Sequence, residues 1–166
     1  CAWGVGSVCS NMGTSEFIVN STIDIIPASM VPAMLFLIGS VISFATGTSW
    51  GTMAILLPLG IHMAYGFELS QCITIAAVLS GSLFGDHCAP ISDTTVMSSM
   101  AAGCNHIEHV KTQIPYALLA AVSAFIAYLI LGFTELSAII ALPIAIAILV
   151  VLYMLAVKVF HGEKTS

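Results

Sequence analysis

GDHCAPISDTT, Gly85–Thr95, sets Asp86, His87 and Asp93 between two apolar stretches, in a chain where charged residues make up 7% of the total. A carboxylate near the centre of a membrane helix costs about 2.5–3.5 kcal/mol or more, so such groups persist mainly where they do chemistry. Pro90 removes a backbone donor and pushes Ala89 away from helical angles, so no regular helix runs through this segment. The segment therefore reads as an ion site at a broken helix.

The surrounding composition supplies the membrane. The 166 residues are 59% hydrophobic, with a mean hydropathy of +1.09, and the basic residues are three lysines and no arginine. That is too little charge for a soluble surface. The formal charge of −5 arises from scattered acids with no basic patch, which excludes nucleic acid as a partner. Five cysteines, Cys1, Cys9, Cys72, Cys88 and Cys104, show neither CxxC nor paired-His spacing and read as small apolar packing residues. No cofactor is implied. The chain opens on Cys1 inside an apolar run, as expected of the C-terminal portion (1–166) of a longer transmembrane domain.

Working outward, residues 71–103 place ITIAAVLSGSLF before the break and TTVMSSMAAG after it, a discontinuous helix. Residues 31–64 follow the same plan. They would span about 50 Å as one helix, against a hydrocarbon core of about 30 Å, and their centre is TGTSWGT, Thr46–Thr52, rich in glycine and hydroxyls. With arms of about 14 residues, this element reads as a re-entrant hairpin whose tip is Gly47–Gly51, the alternative being a full span with a broken middle. Residues 113–132 and 136–160 read as transmembrane helices joined by a tight link, with Pro115 in the first turn of one and Pro143 in the first half of the other. All three lysines, Lys111, Lys158 and Lys164, lie at the outer ends of this pair, which puts those ends in the cytoplasm and Glu135 outside. His106, Glu108, His109 and Lys111 then read as a solvated loop. Residues 1–27 carry one short apolar run and are not assigned.

Tandem interrupted helices point to a transporter site, because non-helical backbone at membrane depth survives only where protein or a wet cavity covers it. Asp86, past the end of the half-helix 73–84, faces the negative end of a helix dipole and should hold a proton or a cation. Asp93, before Thr94, reads as an N-cap or a direct ligand. Hard cations such as Na⁺ take oxygen ligands, and Thr46, Thr48, Ser49, Ser92, Thr94 and Thr95 offer hydroxyls, while Gly47, Gly51 and Gly85 permit close backbone approach. Hydroxyls bonding back to their own helix are the plain alternative for each. His87 reads as a hydrogen-bonded structural residue or a proton relay. Trp50 reads as a cap over the site or as packing. A membrane enzyme using a His87–Asp86 dyad lacks a positioned nucleophile or metal set, so no enzyme is expected.

The runs GSLFGDHCAPISDTTVMSSMAAGCNHIEHVKTQIPYA (Gly81–Ala117), ISFATGTSWGTMAILLPL (Ile42–Leu59) and GSVCSNMGTSEFIV near the start resemble the NhaC-type sodium/proton antiporter family. Ala89 stands where that pattern usually has Ser. The resemblance implies an all-α multi-pass protein of the cytoplasmic membrane with inverted repeats, in which this chain is the C-terminal part and pairs with an N-terminal half. A homodimer is compatible with it. It implies exchange of Na⁺ for H⁺, and the chemistry at the break makes Asp86 and Asp93 the expected Na⁺ ligands. The alternative is an antiporter for organic acids, such as malate and lactate, or for amino acids on the same scaffold.

Overall fold

The structure, a computed structural model, describes residues 27–134 and 138–162, together with positions 8, 11–13, 17 and 21. Cys1, Cys9, Glu16, Asp24, Glu135 and Lys164 lie outside the described residues. A 3₁₀ turn, Ala28–Met30, leads into α1 (Val31–Thr46), followed by α2 (Ser49–Gly66), α3 (Gln71–Cys88), α4 (Asp93–Ala102), α5 (His106–Thr134) and α6 (Ala138–Gly162). The described residues contain helices and no strand.

The first break is two residues wide. Gly47 ends α1 in the left-handed conformation, φ 67°, its amide bonded to the Ser43 carbonyl, and Thr48 caps α2 by accepting from the Gly51 amide at 3.4 Å. Ser49–Gly51, expected in the tip, instead form the first turn of α2. A side-chain carbon on Gly39 would touch Leu56, and one on Gly60 would touch Leu35. Both pairs are equidistant from the Gly47–Thr48 turn, so α1 and α2 fold back on each other as an antiparallel hairpin. Its arms, 16 and 18 residues, are longer than the expected 14. With the 3₁₀ turn the first arm becomes a 19-residue apolar run, long enough to cross a membrane.

Helix α3 packs along α1 in parallel, and glycine decides how closely. Gly81 and Gly85, one helical turn apart, lie against the Phe36 and Ser40 carbonyls of α1 so tightly that a Cβ on either would overlap them. Small residues at this spacing let membrane helices meet backbone to backbone. Ser43 then donates across the interface to the Ser82 carbonyl at 2.6 Å, and the Phe36 ring stacks on Phe84 at 6.2 Å. Val31 and Leu35 of α1, Leu56 and Met63 of α2 and Val78 of α3 form the apolar core where the three helices meet.

The second break bends α3 against α4 by 52°. Helix α3 runs to Cys88, four residues beyond the expected end, because the Ala89 amide still reaches the Gly85 and Asp86 carbonyls. Helix α5 likewise starts seven residues earlier than expected. Asn105 accepts from the Ile107 and Glu108 amides at 3.0 and 3.3 Å and caps it. His106, Glu108, His109 and Lys111 are therefore helical rather than a loop, and Pro115 lies inside the helix. At its far end Gly132 meets the Ser29 carbonyl, which docks α5 against the start of α1. By length and apolarity the segments Ala28–Thr46 and His106–Thr134 each qualify as membrane spans, and the bent α3–α4 pair is a broken span, which would make a third, or a re-entrant loop. Cys88 is buried as packing requires, whereas Cys72 and Cys104 are exposed.

Candidate functional site

Both breaks lie at the same end of the parallel α1–α3 pair, so they meet. Gly47 at the first touches Ile91 at the second: a Cβ on Gly47 would come within 2.9 Å of the Ile91 carbonyl oxygen. Beside this contact Asp86 is 1% exposed. It lies in the last turn of α3 rather than beyond the helix end.

The carboxylate is asymmetrically held. Its Oδ2 accepts from Thr94 Oγ1 at 2.9 Å and from Ser49 Oγ at 3.3 Å. Ser92 Oγ accepts from the Thr95 amide at 3.3 Å and lies 2.8 Å from Thr94 Oγ1. With Thr94 donating to Asp86, Ser92 must donate to Thr94, so the hydrogens run in one direction from the Thr95 amide to the carboxylate. Oδ1, equally buried, has no hydrogen-bond partner among the described residues. Leaving a buried charged acceptor unmet costs more than the 1–3 kcal/mol of a neutral group, which a proton or a cation at Oδ1 would relieve.

The site borders a cavity of about 580 Å³ lined by residues that include Trp50, Asp86, His87, Thr94, His109 and Gln113. Carboxylate, hydroxyls and carbonyls are the oxygen donors that suit a hard cation. Among the described residues no group of three or more His, Cys, Asp or Glu is placed so as to hold a metal ion.

Of the residues singled out from the sequence, the structure unites Asp86, Ser49, Ser92, Thr94 and the backbone of Gly47 and Thr95. The rest make no hydrogen bond to the Asp86 carboxylate, although His87 and Trp50 line the same cavity. Asp93 is exposed at the first position of α4, its Oδ1 accepting from the Thr94 amide at 2.7 Å; the N-cap is Ser92, whose shorter side chain reaches the Thr95 amide. Thr46 bonds back to the Ile42 carbonyl at 2.8 Å, and Thr48 serves as a cap. His87 is exposed to the cavity and bonds the Leu83 carbonyl of its own helix at 2.8 Å. Trp50 is 78% exposed and lines the cavity beside Asp86.

Sequence reading missed Gly81, Ser43 and Ser99. The spacing Gly81-x-x-x-Gly85 was a usable signal for the close helix contact. Nothing in the sequence marked Ser99, which binds two histidines from α5.

The chain matches the Na⁺/H⁺ antiporter family over residues 1–133. It belongs to that family. Over 136 residues, 80% of this chain, it is 42% identical to an uncharacterized protein of Haemophilus influenzae. It is 34% identical over 97 residues, 58% of the chain, to the malate-2H⁺/Na⁺-lactate antiporter of Bacillus subtilis. It is 31% identical over 121 residues, 72% of the chain, to the arginine/ornithine antiporter of Halobacterium salinarum. The aligned parts are 26%, 21% and 25% of those proteins, so the chain spans about a quarter of the length of these relatives. No solved structure matches. Family membership and the apolar helices together place the chain in a membrane and go with transport rather than with enzymatic catalysis.

Proposed function

We propose that this chain is the C-terminal part of an NhaC-type secondary transporter of the cytoplasmic membrane that exchanges Na⁺ for H⁺ at Asp86. One observation carries the reading: a fully buried carboxylate, held by hydroxyls on one oxygen and unmet on the other, at the meeting of two helix breaks. A proton and a cation compete for the same oxygen. A carboxylate that must release its proton before taking up Na⁺ couples the two fluxes by linkage alone. Ser49, Ser92 and Thr94 supply further oxygens, and the hairpin of residues 31–64 brings its tip to the site. An N-terminal half related by inverted repeat would close the remaining side.

A second reading, exchange of organic acids or amino acids coupled to these ions, is favoured by the names of the Bacillus and Halobacterium relatives. The cavity of about 580 Å³ is larger than a bare cation needs.

Inverted vesicles containing the complete transporter test both. Asp86→Asn keeps the shape and removes the titratable charge, so Na⁺-driven proton movement is expected to vanish at every pH rather than shift its optimum. Retained pH-dependent exchange by that variant would remove Asp86 from the mechanism. A proton flux that required malate, lactate or arginine as well as Na⁺ would select the second reading.

A further inference from the structure

We infer that the cavity beside Asp86 takes a compact organic ammonium, a primary amine on a short apolar chain, and binds it by the charged end. The inference rests on the second reading above, carriage of an organic substrate through this site, and narrows it to the cationic group. Asp86 is 1% exposed and lines the cavity, and its Oδ1 has no hydrogen-bond partner among the described residues. One buried anionic acceptor is therefore still to be met. The space, about 580 Å³, is of the size that holds a small organic molecule.

The polar groups next to that oxygen are acceptors too. His87 Nδ1 lies 2.8 Å from the Leu83 carbonyl oxygen, which only accepts, so Nδ1 carries the hydrogen and a neutral imidazole keeps a lone pair at Nε2. Ser49 Oγ gives its single hydrogen to Asp86 Oδ2 at 3.3 Å and retains the capacity to accept. A primary ammonium has three donors and no acceptor. Oδ1, His87 Nε2 and Ser49 Oγ belong to three residues that line one cavity, and they match it in number and kind. Met53, Leu79 and Leu83 supply an apolar wall for the chain, and Trp50 supplies an indole, whose face attracts cations.

A substrate carboxylate meets the opposite conditions. The chain has no arginine, and among the described residues no lysine lines the cavity. Lys111, near Gln113 in sequence, is exposed and paired with Glu108 at 3.3 Å. The start of α4, where helix amides would ordinarily hold an anion, is already occupied by the chain itself. There the Thr94 amide donates to Asp93 Oδ1 at 2.7 Å and the Thr95 amide to Ser92 Oγ at 3.3 Å. An anion in this place would stand beside two aspartates with no positive side chain to offset them. Gln113 carries neutral N–H donors, which suit an uncharged tail. The amine, Na⁺ and the proton then compete for one oxygen of Asp86.

Isothermal titration calorimetry of the solubilised complete transporter tests this with n-butylammonium chloride, potassium butyrate and potassium lactate in sodium-free buffer. The amine is expected to bind, with an apparent Kd that rises as Na⁺ is added, and the two carboxylates to give no heat. Asp86→Asn should weaken amine binding roughly tenfold or more, because the acceptor loses its charge. Carboxylate binding as tight as that of the amine, an amine affinity indifferent to Na⁺, or amine binding that survives Asp86→Asn would overturn the assignment. Absence of amine binding would overturn it as well, and Na⁺/H⁺ exchange by the same preparation in vesicles tells that failure apart from failure of the Asp86 reading. Amine binding lost in an Asp86→Asn variant that still exchanges Na⁺ for H⁺ would uphold the ammonium site and remove Asp86 from ion coupling.

Discussion

Replacing Gly47 by alanine separates backbone strain from contact at the meeting of the two breaks. Gly47 has φ 67°, where an L-residue costs about 1–2 kcal/mol. Gly103, the C-cap of α4, has φ 63° and nothing within 4 Å of its would-be Cβ, so Gly103→Ala reports that backbone term by itself. At Gly47 the new carbon would also stand 2.8 Å from Ile91 Cγ1 and 2.9 Å from the Ile91 carbonyl oxygen, well inside the 3.5–4.0 Å of ordinary contact. The side-chain carbon can rotate away. The carbonyl cannot move without shifting the backbone that leads into Ser92, and forced displacement of this kind costs about 1–3 kcal/mol. Gly47→Ala should therefore destabilise by roughly 2–5 kcal/mol against about 1–2 for Gly103→Ala. Apparent melting temperatures in one detergent compare the two variants directly. Ile91→Ala in the Gly47→Ala background should restore only part of the difference, because the backbone oxygen remains. Equal losses for Gly47→Ala and Gly103→Ala would mean that the two breaks do not press on each other.

Other expectations follow from the same geometry. Ser92→Ala removes the cap of α4 and the donor to Thr94, so a stability loss of about 0.5–2 kcal/mol should accompany impaired transport. Asp93→Asn, exposed and outside the hydroxyl chain, should leave exchange in vesicles close to normal, and a dead Asp93→Asn variant would exchange the roles of the two acids. For topology, impermeant thiol labelling from outside should reach a cysteine at residue 135 and miss one at Lys111 or residue 164. The opposite pattern would invert the orientation inferred from the lysines.

Much of the architecture was legible because it depends on local chemistry. Gly47 takes the left-handed conformation that ends a helix and Pro90 withholds a backbone donor, and both breaks fall where those residues sit, although Pro58, Pro115 and Pro143 are carried inside helices. Boundaries were less legible. Helix α5 begins at His106 because Asn105 caps it, a signal outweighed by the polar look of NHIEHVK; α3 continues to Cys88 because the Ala89 amide still bonds the Gly85 and Asp86 carbonyls. Of the site, Asp86 was legible from its charge in an apolar run. The division of labour between Ser92 and Asp93 was not, since either residue caps a helix and only the turn of the backbone at Ile91 selects the serine. His106 and His109 gave no sign of where they bind, because their partners, Pro90 and Ser99, are 16 and 10 residues away and nothing local records the contact.

The position of Asp86 follows from glycines that have no chemistry of their own. Gly85 precedes it, and only a residue without a side chain can lie on the Ser40 carbonyl there. That contact sets the rotation of α3 on α1, and the next residue is carried into the gap between the two breaks. Ser43, bonded to the Ser82 carbonyl, reinforces the same register. Held this way, the acid cannot turn toward lipid or water to find a partner for Oδ1, although doing so would satisfy it at little cost elsewhere in a flexible helix. Tight packing of α1 against α3 and an unmet carboxylate oxygen are therefore one feature. Loosening the packing should lower the cost of the buried charge and weaken the competition between proton and cation that coupling requires.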